Sequence, residues 1–112
     1  MNKNNLILDK VHHVEGILNI YDELSSLDFS KTIIEQVTKL DEDLFQITFN
    51  NGNILDIGWA PAFEEKGKFI IQVISNEDWE TPIYKSFASW DEKELSEKIE
   101  EALKNCTYKT PI

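Results

Sequence analysis

The chain has 112 residues, 41% hydrophobic and 11% aromatic, which suits a single domain over 1–112 with one core and not a disordered tail. Asp plus Glu number 21 against 11 basic residues, all of them lysine, for a net charge of −10; a surface of that sign, without arginine's bidentate fork, argues against nucleic acid and against an anionic membrane as partners. The single cysteine, Cys106, cannot close an internal disulfide, and Leu6-Ile7-Leu8 is too short for a signal-peptide core or a membrane span, so a cytoplasmic protein is expected.

In chain order, Val11, Val14, Ile17, Leu18, Tyr21 and Leu24 recur at three- and four-residue spacings. That stripe predicts a first helix, with Asp9 at its start and Ser25-Ser26 at its end. Gly16 costs such a helix about 1 kcal/mol relative to Ala and permits close packing on a sheet. Residues 32–40, TIIEQVTKL, are rich in β-branched types and read as a strand. Asp41-Glu42-Asp43 is a charged turn. Phe45, Ile47 and Phe49 then alternate, as do Leu55, Ile57 and Trp59 beyond the turn signal Asn50-Asn51-Gly52-Asn53.

A two-residue loop would set Ile47 opposite Asp56. A three-residue loop is expected to set Phe49 opposite Leu55, Ile47 opposite Ile57 and Phe45 opposite Trp59, gathering the large side chains on one face. Gln46, Thr48, Asp56 and Gly58 are left for the other face, which suits solvent or a partner. Residues 68–75 and 82–88 give two more strands, the second starting at Pro82. Ser89 with Glu92 reads as a capping box, and Leu95, Ile99, Ala102 and Leu103 as the stripe of a last helix before a tail from 105. The fold class is α+β: an antiparallel sheet of about five strands flanked by an N-terminal and a C-terminal helix, both on one face.

No motif states a chemistry. His12 and His13 are adjacent, which on a helix points them about 100° apart and leaves no metal-ligand spacing. Cys106 lies in the tail with no positioned base, the serines lack a nucleophile-elbow context, and no glycine loop is built to cradle phosphate. No catalytic residue, metal or cofactor is therefore assigned. In the last helix Glu94–Lys98 and Glu100–Lys104 stand four apart and are expected to pair.

Charge is the stronger signal. Residues 41–80 hold nine acids, Asp41, Glu42, Asp43, Asp56, Glu64, Glu65, Glu77, Asp78 and Glu80, against Lys66 and Lys68. Trp59 and Trp79 are embedded among them. An aromatic ring surrounded by anions suits a cationic protein: the ring anchors, the acids steer and pair. The nine acids with Trp59 and Trp79 form the candidate partner-binding set. For Trp59 the alternation favours a core position, whereas Trp79 has no alternating neighbours to make it a strand residue; Trp90 is most simply a packing residue.

The opening apolar stripe, the strand hairpin at Asn51-Gly52, Trp59 closing a strand, the Asp78-Trp79 loop and the run Ser89-Trp90-Asp91-Glu92-Lys93-Glu94-Leu95 together resemble the small immunity proteins of bacterial contact-dependent growth inhibition, a toxin–immunity system. The resemblance implies a cytosolic, non-catalytic chain, monomeric before binding, that neutralises one cognate toxin domain, often a nuclease of the RNase type, by occluding its active site. The other expectation is a small-ligand-binding or regulatory domain with a pocket between helix and sheet, among Tyr21, Trp59, Trp79 and Tyr84.

Overall fold

The computed structural model describes residues 2–8 and 10–106, with backbone alone for 2–6 and 13. Its elements are β1 (Asn2–Ile7), β2 (Lys10–Glu15), β3 (Ile17–Asp22), a short helix α1 (Ile33–Gln36), β4 (Phe45–Phe49), β5 (Asn53–Ala60), β6 (Lys68–Ser75), β7 (Tyr84–Ala88) and the long helix α2 (Glu92–Cys106). Strands β3 to β7 form one antiparallel sheet in sequence order, and β1 pairs with β2 in a separate hairpin. The α+β class and the five-stranded antiparallel sheet are as the sequence predicts, with α2 closing the chain.

The register lays side chains in rows across the sheet. One row on the helix-covered face runs Ile20, Ile47, Leu55, Val73, Tyr84, and the next runs Asp22, Phe45, Ile57, Ile71, Ser86. The apolar members from β4, β5 and β6 in these rows are fully or almost fully buried. Leu95, Ile99 and Ala102 of α2 pack into the same core, as do Leu24, Leu40 and Leu44 from the connecting segments. Each buried leucine or isoleucine among them contributes about 1.5–3 kcal/mol, and those of α2 fix it over β5, β6 and β7. Ile7 and Val14 carry the β1–β2 hairpin onto this core, and Lys10 pairs with Glu100 of α2 at 3.3 Å.

Several local expectations are corrected. Residues 11–24 are not a helix but parts of two strands and a 3-10 turn. Gly16 between them sits at φ +76°, in the left-handed region that a helix cannot contain, and Val11 and Leu18 of the supposed stripe are exposed. Asp9, its expected cap, lies outside the described residues. Residues 32–40 are not a strand. Thr32 Oγ1 accepts the Glu35 N–H (3.4 Å) while Glu35 Oε1 accepts the Thr32 N–H (2.9 Å), a capping box that starts α1 instead.

The β4–β5 loop does span three residues, but three residues pair Ile47 with Leu55 and Phe45 with Ile57, two positions from the expected register. The Gly52 N–H reaches the Phe49 carbonyl (3.2 Å) with Gly52 at φ +91°, and the Asn53 N–H reaches Asn51 Oδ1 (2.9 Å). A shift of two preserves parity, so every side chain keeps its expected face. The cap of α2 is Asp91 and not Ser89: Asp91 Oδ1 accepts the Glu94 N–H (3.1 Å), and Glu94 turns back to the Ser89 N–H and hydroxyl. Glu94 is thereby tied to Ser89, and Glu100 is taken by Lys10. Among the described residues the only other ion pair is Lys98–Glu101, so neither expected four-apart pair forms.

Cys106 stands in the last turn of α2, not in a tail. It is buried, and burial pushes its thiol up to about 12. Its carbonyl, one of the orphan acceptors of the helix end, receives the side-chain N–H groups of Asn51 (2.9 Å) and Asn53 (2.7 Å) from the hairpin turn.

Candidate functional site

The face opposite α2 carries a polar row. Tyr21, Gln46, Asp56, Gln72 and Lys85 are successive cross-strand partners on β3, β4, β5, β6 and β7. Asp56 is the middle member. Its Oδ1 accepts the Gln46 Nε2–H (3.2 Å) and its Oδ2 the Gln72 Nε2–H (3.4 Å). Burial pushes the carboxyl up; the two amides pull it part of the way back, and the charge of Asp43 adds to the rise. No ion pair among the described residues involves Asp56. Lys85 stands two strands away, about 9–10 Å at ordinary strand spacing, with its ammonium 5.9 Å from the Phe87 ring centre.

The acidic turn is pinned beside this carboxylate by backbone bonds. The Trp59 N–H donates to the Asp41 carbonyl (2.9 Å), and the Leu44 N–H to the Ile57 carbonyl (3.0 Å). Between them the chain lies directly on Gly58: a Cβ there would sit 1.7 Å from the Glu42 carbonyl oxygen. Gly58 is therefore required by a close approach of backbone to backbone. The result is a cleft of about 400 Å³ with Gln46, Asp56 and Gln72 in its lining, Glu42 and Asp43 to one side and Trp79, 46% exposed, also bordering it. An adjoining hollow shares Asp43 and Asp56 and adds Tyr21. The Tyr21 hydroxyl is pushed up, by desolvation and then by the charges of Glu23, Asp41 and Asp43, which places these three acids around the ring.

The candidate set thus divides. Glu42, Asp43, Asp56 and Trp79 converge on the cleft, and Asp41 stands at the Tyr21 side. Glu64 and Glu65 are exposed in the loop after β5, away from the cleft lining. Glu77 and Glu80 are exposed on the β6–β7 loop that carries Trp79. Asp78 holds that loop: Oδ1 accepts the N–H groups of Glu80 and Thr81 (3.2 Å each), Oδ2 accepts the Thr81 hydroxyl, and these bonds keep its carboxyl below the usual range.

Trp59 leaves the set. It is 0% exposed, stands edge-on to Phe69 and Trp90, and donates its Nε1–H to the Glu64 carbonyl (2.7 Å); its ring has no surface to offer a partner. Trp90 packs as expected, stacked on Phe29 at 4.5 Å with its Nε1–H on the Lys31 carbonyl. The quartet Tyr21, Trp59, Trp79 and Tyr84 is not brought together. The Trp59 ring and Tyr84 lie on the α2 side, where the Tyr84 hydroxyl reaches Glu101 (3.0 Å), while Tyr21 and Trp79 lie on the open side; Trp59 borders the cleft beside Trp79, but with a fully buried side chain. Glu23, Gln72 and the role of Gly58 go unmarked in the sequence reading. Alternation from Phe69, Ile71 and Val73 is a signal that finds Gln72.

No group of three or more His, Cys, Asp or Glu side chains among the described residues is arranged to hold a metal ion, and no helix among them is long and apolar enough to cross a membrane. Comparison with protein-family models, with curated proteins and with solved structures finds no match.

Proposed function

We propose that this chain is a small protein-binding inhibitor of the immunity type, which uses the open acidic face of its sheet to cover the cationic groove of a toxin domain with nuclease activity. The observation that carries this reading is the unbalanced charge of the cleft on that face, whose lining includes no lysine; the two lysines that β6 and β7 put on the same face, Lys68 and Lys85, lie over the Phe87 ring at 4.4 and 5.9 Å instead. Asp56 is desolvated at the centre of the sheet with only amide partners, Glu42 and Asp43 stand beside it, and no lysine of the chain pairs with any of the three among the described residues. Folding alone does not call for a partly buried carboxylate without a cation, whereas a positive partner supplies the missing charge. A nuclease groove is positive because it holds a polyanion. In this reading the chain is a monomer until it binds, catalyses nothing and acts in the cytoplasm. A pocket for a small metabolite is supported less: such sites enclose most of their ligand, and this cleft is open.

The test is co-expression with the toxin domain encoded beside this chain's gene. Protected cells and a co-purifying complex are expected. Association should slow at least tenfold between about 50 mM and 500 mM salt, because steering by exposed charge is screened over a Debye length. Charge reversal at Glu42 and Asp43 should abolish protection. A complex whose association rate ignores salt, or full protection by the reversed chain, overturns the reading.

A further inference from the structure

We infer that the cleft over Asp56 receives one arginine side chain from the partner protein, with the guanidinium against the Asp56 carboxylate and beside the Trp79 ring. The inference deepens the protein-binding reading above and rests on it for the source of the arginine.

The donor and acceptor inventory selects the ligand. Gln46 and Gln72 each spend an Nε2–H on Asp56, which leaves their carbonyl oxygens as acceptors on either side of the carboxylate. Glu42 and Asp43 add carboxylates at the side of the cleft. Ala60, Pro61, Ala62 and Ile70 supply an apolar part of the same lining. A ligand that satisfies both parts brings an apolar stem that ends in N–H donors and a positive charge. Guanidinium carries five donors in a flat fork; ammonium is a compact point charge that keeps its water more tightly. Trp79 makes the same choice. An indole that is 46% exposed and borders the cleft that holds Asp56 leaves ring surface for a planar cation, which guanidinium can cover better than ammonium. Gly58 lets the Glu42 backbone press onto the sheet, so the wall beside Asp56 is held by main-chain bonds and not by a mobile side chain.

The experiment titrates the isolated full chain, ¹⁵N-labelled, with N-acetyl-arginine methylamide and compares the matching lysine and citrulline compounds. Citrulline has nearly the shape of arginine without the charge. Saturable shifts are expected from arginine at the Gly58 N–H, the Gln46 and Gln72 side-chain amides and the Trp79 indole. Lysine should bind at least threefold more weakly, and citrulline should not bind at the same concentrations. Asp56→Asn and Trp79→Ala should each weaken arginine binding at least threefold, Asp56→Asn the more. Equal shifts from lysine, shifts scattered over the surface, or unchanged binding by Asp56→Asn overturn the inference. Its failure is separable from that of the protein-binding reading. If the chain neutralises the toxin and Asp56→Asn does so equally well, the arginine site is wrong, and the protein-binding reading stands on the neutralisation itself and on Glu42 and Asp43. If arginine binds as described but the toxin is neither bound nor neutralised, the reading is what fails.

Discussion

The two faces of the five-stranded sheet are built from the same strands and follow opposite rules. On the face under α2, the rows from β4 to β6 read Ile47–Leu55–Val73 and Phe45–Ile57–Ile71, with every side chain buried among apolar neighbours. On the other face the corresponding row reads Gln46–Asp56–Gln72, a carboxylate held between two amides. The first face is explained by burial of apolar surface. The second is not: a carboxylate drawn partly out of water raises the free energy of the fold unless a cation meets it. The comparison therefore separates residues that stability explains from residues that it does not, and the latter are the ones assigned to a partner in the proposed reading. It makes ordered demands on mutants.

The largest effect belongs to the covered face. Trp59→Ala removes a fully buried indole, its contacts with Phe69 and Trp90 and its bond to the Glu64 carbonyl. A loss of about 3–5 kcal/mol is expected, read from the midpoint of urea unfolding. A loss below about 1 kcal/mol would mean that Trp59 is not a core residue. Gly58→Ala comes next and couples the two faces. The added methyl meets the Glu42 carbonyl, so residues 41–44 must lift off β5. Destabilisation of about 2–3 kcal/mol is expected, the upper part of the range for overpacking. Since the acidic turn moves with that backbone, partner binding should fall even where the variant remains folded.

This division was only partly legible in the sequence. Alternation in β4, β5 and β6 assigns each residue to its face, and parity survives an error of two in the register because the side-chain period is two. Asp56 and Gln46 were therefore already on the open face. The segment 11–24 misleads because two short strands separated by a glycine place apolar residues at spacings that also fit a helix. With β3 unrecognised, Tyr21 and Glu23 could not be seen as neighbours of Asp41 and Asp43. The Thr32–Glu35 capping box was present as a pattern, but the β-branched run around it pointed to a strand. Trp59 and Trp79 sit in similarly acidic sequence; the alternation of Leu55, Ile57 and Trp59 already favours the core for the first, and the packing of Phe69 and Trp90 against it decides the matter.

Asp56→Asn tests the open face with a smaller effect of opposite sign. The carboxyl is raised in the fold, mainly by burial, so between the unfolded and folded values the native state holds more protons than the unfolded chain. Stability contributed by the protonated form is present below the unfolded value and is lost as pH rises through the folded one. Asparagine does not titrate and keeps an oxygen for a glutamine amide. The variant should thus match or exceed the parent in Tm at pH 7, and the difference should shrink as pH falls to 3. A Tm well below the parent at pH 7 would show that the carboxylate is a structural acceptor in its own right, and the contrast between the faces would lose its centre.

Trp79→Ala should disturb the fold least. The ring is half exposed on a loop whose shape is set by other groups: Asp78 bonding Glu80 and Thr81, and Asn76 and Glu77 in the left-handed region. The Asp78 N–H to Ser75 carbonyl and Ile83 N–H to Val73 carbonyl bonds anchor it to β6 without the indole. A change in unfolding free energy within about 0.5 kcal/mol is expected, as for surface positions away from buried features. Binding to a cationic partner should nevertheless weaken at least tenfold, mainly through faster dissociation, since a desolvated aromatic anchor acts after the encounter that charge has steered. Surface plasmon resonance on the parent and variant separates the two rates. Set beside Trp59→Ala, the pair forms a double contrast: one tryptophan whose removal is expected to cost stability, and one whose removal is expected to leave the fold intact and weaken the proposed binding. If Trp79→Ala instead destabilises the fold by more than about 2 kcal/mol with no separate effect on dissociation, Trp79 belongs with the covered face, and the open face has only its charge to offer.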